Sequence, residues 1–184
     1  MRRMFSESAK ELRKTRSLVA MARLLALAVV LGFVSVQVTE SVRVGFAFLP
    51  NAMSGQLFGP VGGMLTGGLA DILKYFVKPT GPFFPGFTIS GILGGLIYGL
   101  VLYKKPTTLP RVILSQVLIT VFVNIFLNTY WLTLLYGNSF LAIWPARIIS
   151  NLVLLPINII MHYLGATLLE KAGIRRQFGS PVAK

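Results

Sequence analysis

Long apolar stretches separated by short polar segments dominate this chain of 184 residues. A membrane-spanning helix needs about 20 mostly apolar residues, because it rises about 1.5 Å per residue across a hydrocarbon core of about 30 Å. This pattern predicts an all-α integral membrane protein built as a bundle of six transmembrane helices. The predicted spans are Ser17–Val38, Val44–Phe58, Gly59–Val77, Phe87–Tyr103, Leu109–Leu135 and Ile143–Leu169.

Positive charges distinguish the two sides of the predicted bundle. Lys and Arg concentrate before the first span, in the loop between the fourth and fifth spans, and after the last span. Because such segments stay on the cytoplasmic side, we predict that both termini are cytoplasmic. The predicted organisation is a basic N-terminus at residues 1–16, a membrane domain at 17–170 and a tail at 171–184. The outer loops are then Thr39–Arg43, Lys78–Gly86 and Tyr136–Ala142.

Composition limits the functions open to the chain. Hydrophobic residues make up 54% of it. The net charge is +13, and the basic residues cluster at the ends of the chain and in one internal loop, so we expect a lipid bilayer and no nucleic acid as partner. There is no cysteine and only one histidine, His162, which argues against a metal site, and we expect no cofactor. The sequence contains neither a GxxxxGK[ST] phosphate-binding loop nor an HExxH motif. We therefore do not expect an enzyme.

Glycines recur at helical spacing in the third and fourth spans. Such ladders allow helix backbones to approach closely in lipid, so we predict tight packing of these two spans. The glycines are Gly59, Gly63 and Gly67 in one span, and Gly91, Gly95 and Gly99 in the other.

Polar side chains follow one face of each of the last two spans. The fifth span carries Gln116, Thr120, Asn124, Asn128 and Trp131, and the sixth carries Trp144, Arg147, Asn151, Asn158 and His162. Because polar groups in lipid are costly, the two faces should meet each other or a cavity. For the deeper members, Gln116, Thr120, Asn158 and His162, hydrogen bonding between helices is a sufficient explanation.

A second set of polar residues is expected at one depth in the outer half of the membrane. It comprises Glu40, Asp71, Lys74, Trp131, Trp144, Arg147 and Asn151. Such a set suits a planar, polar, anionic heterocycle, since Arg and Lys bind carboxylates and tryptophan stacks on rings.

Structural explanations for the same residues remain open. Both tryptophans fit an interfacial belt, and Lys78 could extend to the outer interface. Asp71 could pair with Lys74. Arg147, costly in a membrane helix, could pair permanently with Asp71 or Glu40.

Several segments resemble the folate-specific substrate-binding components of energy-coupling factor (ECF) vitamin transporters. They are FLPNAMSGQLFGPVGGMLTGGLADILKYF, GPFFPGFTISGILGGLIYG, NTYWL and WPARIISNLVLLPIN. The resemblance implies a folate bound near the outer face, with a transmembrane coupling subunit and two cytoplasmic ATPases as partners. It also implies that Ala22 and Ala26 form an AxxxA-type contact with the coupling subunit.

The resemblance places the binding residues in the outer half of the bundle. Asp71 would accept from the pterin amidine, a tryptophan would stack on the ring, and Arg147, Lys74 or Lys78 would meet a carboxylate or the ring carbonyl. The full candidate set is Glu40, Asp71, Lys74, Lys78, Phe84, Asn128, Trp131, Trp144, Arg147 and Asn151.

Three other functions remain compatible with the sequence. A component for another vitamin, such as thiamin or riboflavin, would share the span pattern, although a cationic ligand would not favour Arg147 and two lysines. A membrane scaffold would satisfy its polar residues internally and leave no cavity. A membrane enzyme would need a catalytic pair, and the sequence offers no convincing one.

Overall fold

Helices form most of the computed structural model, which describes residues 2–37, 43–77, 79, 82–137, 140–174 and 178. The helices are α1 (Arg2–Glu11), α2 (Thr15–Phe33), α3 (Phe48–Val77), α4 (Pro85–Leu102), α5 (Leu109–Leu118), α6 (Asn128–Tyr136) and α7 (Phe140–Lys171). A π-helical segment, Ile119–Leu127, joins α5 to α6. The predicted all-α class is confirmed, with one short antiparallel hairpin of β1 (Ser35–Gln37) and β2 (Arg43–Gly45) as an addition.

Four stretches of the described chain are long and apolar enough to cross a membrane, judged by length and composition. They are Thr15–Phe33, Pro85–Leu102, Leu109–Leu135 and Trp144–Lys171. These stretches correspond to the first, fourth, fifth and sixth predicted spans. The second and third predicted spans both lie within α3.

Helix α3 is a hairpin of two helical arms rather than one straight helix. Gly59, with φ 80° and ψ −168°, interrupts the helical backbone, and Pro60 begins the second arm. The Ser54 and Thr66 hydroxyl oxygens lie 2.6 Å apart. In a continuous helix, twelve residues would separate them by about 18 Å. The chain therefore reverses at Gly59, a conformation that glycine adopts without steric cost, and the predicted boundary between the second and third spans is confirmed.

Glycines hold the second arm of α3 against α4. A Cβ atom placed on Gly91 would lie 2.6 Å from the Gly67 carbonyl oxygen, and one placed on Gly95 would overlap the Gly63 carbonyl. Only hydrogen fits at these contacts, so the backbones touch directly. The predicted glycine ladder is confirmed, and it fixes the spacing of two walls of the site described below.

The first two predicted spans need correction where they meet. Helix α2 ends at Phe33 rather than Val38, and α3 begins at Phe48 rather than Val44. The sequence VSVQ after Phe33 alternates β-branched and polar residues, a period of two that favours a strand over a helix. Arg43, assigned to an outer loop, lies in β2, while residues 38–42 lie outside the described chain.

Three segments meet at one face of the bundle: the N-terminal helix, the loop after α4 and the end of α7. Lys104 Nζ lies 2.7 Å from Glu7 Oε2, and the Thr107 hydroxyl donates to Glu170 Oε1 at 2.5 Å. Helix α1 is too polar for the apolar pattern to predict. These contacts place the described parts of the three basic regions on the same side, as the charge distribution predicts.

Candidate substrate-binding site

A cavity of about 350 Å³ lies between the α3 hairpin, α4, the α5–α6 helix and α7. Pockets for small molecules usually enclose about 300–1,000 Å³. Its lining includes many polar side chains in an otherwise apolar bundle: Asn51, Asp71, Lys74, Ser90, Tyr98, Gln116, Asn124, Asn128, Asn151 and Asn158. A scaffold protein with internally satisfied polar groups predicts no such cavity.

The two charged groups of the cavity come from the second arm of α3. Asp71 Oδ2 accepts a hydrogen bond from the Thr88 hydroxyl on α4 at 2.8 Å. Among the described residues, no ion pair within 4 Å joins Asp71 to Lys74 or to Arg147. The carboxylate and the ammonium of this arm are therefore not in direct contact, and both residues line the cavity.

The inner end of the cavity is neutral and fixed by hydrogen bonds between helices. Gln116 Nε2 lies 3.0 Å from His162 Nδ1, and the Tyr98 hydroxyl lies 3.5 Å from Gln116 Oε1. The Tyr98 and His162 rings meet edge to face at 5.3 Å. The predicted meeting of the two polar faces is confirmed, and His162 acts here as a support for Gln116.

Two amide oxygens on the cavity wall have no hydrogen-bond partner within the described part of the chain. Asn51 Oδ1 and Asn128 Oδ1 are both buried, although such groups in folded proteins are nearly always paired. Both residues line the cavity, so their amides are candidates for pairing with a bound molecule, because a buried acceptor without a donor is unfavourable.

The π-helical segment shapes the wall that carries Asn128. The Asn128 N–H bonds to the carbonyl of Val123, five residues earlier, and this wider turn brings Val123 and Asn124 together onto the lining. Single π-type turns occur often at functional sites. Here the wider turn allows adjacent residues to face one cavity, which the α-helical spacing of the sequence does not predict.

Trp131 and Phe84 pack behind the residues that line the cavity. Trp131 Nε1 donates to the Ser90 hydroxyl at 3.1 Å, and its ring lies 5.7 Å from that of Phe84. Both rings cover Gly86, where any Cβ atom would collide with them. In the described structure Trp131 thus positions a lining serine.

The predicted site residues divide into three groups. Asp71, Lys74, Asn128 and Asn151 line the cavity, and Phe84 and Trp131 support it. Among the side chains that the structure describes on α7, Trp144 and Arg147 lie outside the lining, and Asn151, one turn after Arg147, belongs to it. Arg147 contributes its carbonyl, which accepts from Asn151 Nδ2 at 2.8 Å. Glu40 and Lys78 lie outside the described residues.

Several cavity residues are missing from the predicted set. Asn51 follows Pro50 as a lone amide in an apolar segment, a signal that the sequence does carry. Ser90 and Thr88 are small polar residues in a glycine-rich helix and give no distinctive signal. Gln116 and Asn158, expected only to join helices, also line the cavity.

Comparison with known protein families identifies the class of membrane protein to which the chain belongs. Residues 16–164 match the family described as ECF transporter, substrate-specific component. The chain therefore belongs to the family of substrate-specific components of ECF transporters, which are integral membrane transport subunits and not enzymes.

One relative and one solved structure are similar to this chain over most of its length. Folate transporter FolT of Clostridium novyi (strain NT) is 37% identical over 153 residues, which cover 83% of this chain and 88% of the relative. A crystal structure of FolT bound with folic acid matches with a TM-score of 0.75 and 33% identity, covering 93% of this chain and 99% of that one.

A third match shows how widely the fold is shared. The S-component for biotin from an ECF-type ABC transporter matches with a TM-score of 0.62 and 21% identity, over 91% of this chain and 94% of that one. At this identity the likeness concerns the fold alone.

Proposed function

We propose that this chain is the folate-binding subunit of an ECF vitamin transporter. The observation that carries the proposal is a cavity of about 350 Å³ with a carboxylate, an ammonium and several amides, in a fold that matches FolT bound with folic acid. The ligand is folate or a reduced folate, bound from the outer side.

The chemistry of the cavity suits the two ends of a folate. The pterin ring presents an amino group, ring nitrogens and a carbonyl, which pair with Asp71 and with the unpartnered oxygens of Asn51 and Asn128. A carboxylate binds an amidine through two parallel hydrogen bonds. The folate carboxylates are left for cations: Lys74 on the wall and Arg147 on α7. Lys78, the third candidate cation of the sequence, lies outside the described residues.

The proposed topology has six transmembrane spans with both termini in the cytoplasm. The two arms of α3 supply the spans that the hydropathy of the whole helix does not reveal. Orientation rests on the basic face formed by α1, the loop after α4 and the end of α7, since Lys and Arg remain on the cytoplasmic side. The cavity then opens away from the cytoplasm.

Transport requires partners, because the chain has no phosphate-binding loop of its own. The proposed partners are a transmembrane coupling subunit and two cytoplasmic ATPases. Ala22 and Ala26 are exposed one helical turn apart on α2. Small exposed residues at this spacing allow a partner helix to approach closely in lipid, which supports this face as the coupling contact.

Calorimetric titration of the purified chain in detergent tests the proposal. We expect one folic acid or 5-formyltetrahydrofolate to bind per chain, and neither thiamin nor riboflavin to bind. Asp71→Asn should weaken folic acid binding by about 10- to 100-fold, the loss expected for a charge-assisted hydrogen bond. Glu7→Gln, which removes an equal charge on the opposite face, should change the affinity less than twofold.

Two results would contradict this account in different ways. Folded protein that binds thiamin or riboflavin but no folate would overturn the ligand. Folic acid binding that Asp71→Asn leaves unchanged would keep the ligand and remove Asp71 from the site.

A further inference from the structure

The turn of the α3 hairpin leaves backbone groups that the hairpin cannot satisfy itself. A single residue, Gly59, separates the two arms. The last carbonyl groups of the first arm and the first N–H groups of the second arm lack partners within their own helices. Gly59 has no side chain that could reach them.

Ser8, from the N-terminal helix, binds both sides of this turn. Its hydroxyl donates to the Phe58 carbonyl at 2.5 Å, and its oxygen accepts from the N–H groups of Val61 at 3.0 Å and Gly62 at 3.4 Å. Ser8 is fully buried. It therefore serves as an N-cap for the second arm, supplied by a residue about fifty positions earlier in the chain.

Neighbouring contacts hold Ser8 in place. Glu11 on the same helix accepts from Lys14 Nζ at 2.7 Å and from the buried Ser17 hydroxyl at 3.0 Å, which ties the end of α1 to the start of α2. Room for Ser8 depends on the hairpin itself, because a Cβ atom on Gly59 would lie 2.8 Å from the Ser8 oxygen. A side chain at position 59 would therefore displace Ser8 from the turn.

The hairpin that Ser8 closes also forms two walls of the cavity. The first arm contributes Asn51, and the second contributes Gly67, Asp71 and Lys74. At about 1.5 Å per residue, Asn51 and Gly67 each lie about 12 Å from the turn at Gly59. A change in angle at the turn would therefore move the two walls relative to each other.

We infer that Ser8 is a positioning residue for the ligand site, acting from the opposite face of the bundle by fixing the angle of the α3 hairpin. This inference rests on the proposed function, since it concerns the affinity of the same cavity. Ser8 itself touches no part of the cavity.

Three serine variants of the full chain test the inference. Ser8→Ala removes the cap, Ser115→Ala removes a buried hydroxyl of α5 that bonds only within its own helix, and Ser6→Ala removes an exposed hydroxyl from the same helix as Ser8. The dissociation constant for folic acid and the amide hydrogen exchange of Val61 and Gly62 are measured for each. We expect Ser8→Ala to weaken binding about three- to tenfold and to speed exchange at both amides, as the loss of a helix cap does. The other two should leave both quantities unchanged.

A measurement on the unaltered chain covers the case in which Ser8→Ala does not fold. Coupling between two sites is reciprocal, so folic acid should slow exchange at Val61 and Gly62 although neither lines the cavity. Wild-type affinity in Ser8→Ala with unprotected amides would overturn the inference, and so would amides that folic acid does not protect. If the unaltered chain bound no folic acid, the proposed function would fail instead, whatever the exchange at the turn.

Discussion

Replacing Gly95 by alanine should separate α4 from the second arm of α3, which carries both charged groups of the cavity. A Cβ atom on Gly95 would overlap the Gly63 carbonyl and lie 2.8 Å from the Met64 nitrogen, where ordinary contact begins at 3.4 Å. Because both neighbours are backbone atoms, no side-chain rotation can relieve the overlap. Helices α3 and α4 must move apart by at least about 0.6 Å, and further to clear the carbonyl.

The adjacent residue, Gly94, offers a matched control. A Cβ atom there would have Asn51 Nδ2 as its nearest neighbour, at 3.9 Å, so it fits without displacement. Both variants gain the same helix propensity, about 0.5–1 kcal/mol for glycine to alanine. The difference between them therefore isolates the packing cost, which for forced overpacking is about 1–3 kcal/mol.

Thermal unfolding of both variants in the same detergent measures this difference. For a chain of this size, that cost corresponds to a melting temperature lower by about 2–12 °C in Gly95→Ala than in Gly94→Ala. Folic acid binding should weaken in Gly95→Ala as well, because the walls of the cavity separate. Equal melting temperatures for the two variants would refute direct backbone contact at the ladder.

Three further predictions concern other parts of the molecule. Asn128→Leu should change stability little, because it removes a buried unpaired oxygen together with one long hydrogen bond, 3.4 Å, to Asn124, yet it should weaken folic acid binding about tenfold in calorimetry. Ala22→Leu should abolish folate uptake by cells that supply the coupling module while binding by the isolated chain persists; Val153→Leu, at a similarly exposed position on α7, should affect neither. The Lys104 ammonium, by its hydrogen bond and its charge, lowers the pKa of Glu7. The pair therefore stabilises the fold at neutral pH, and this stabilisation is lost as the pH falls through the lowered pKa of Glu7. Lys104→Met should return the Glu7 pKa toward its ordinary value in a carbon-13 titration.

The sequence predicts those parts of the fold that depend on local pattern. The boundaries of the span Leu109–Leu135 follow from hydropathy alone, and the reversal at Gly59 follows from glycine and proline between two apolar arms. The strands β1 and β2 are harder to predict from the sequence, because a short alternation of apolar and polar residues next to a long helix resembles a continuation of that helix.

The site is only partly predictable, since it depends on contacts between distant residues. Asp71 and Lys74 stand out as charges in an apolar span, so composition alone identifies them. The bond from Thr88 to Asp71 and the cap that Ser8 supplies connect residues 17 and about 50 positions apart. Arg147 draws attention as a charge in an apolar helix, but the side of α7 that faces the cavity depends on the rotation of that helix, which the pattern of polar residues does not fix.

Protection of a cavity cysteine tests the central claim most directly. The chain contains no cysteine, so an Ala47→Cys variant places a single thiol on the cavity wall, and Ser6→Cys places one on the exposed face of α1 as a control. The rate of maleimide modification is measured with and without saturating folic acid, and with thiamin in its place. The account predicts that folic acid slows modification at position 47 at least fivefold and leaves position 6 unchanged, while thiamin affects neither. Folic acid that binds without protecting position 47, or that protects both positions equally, would contradict the claim that this cavity is the folate site.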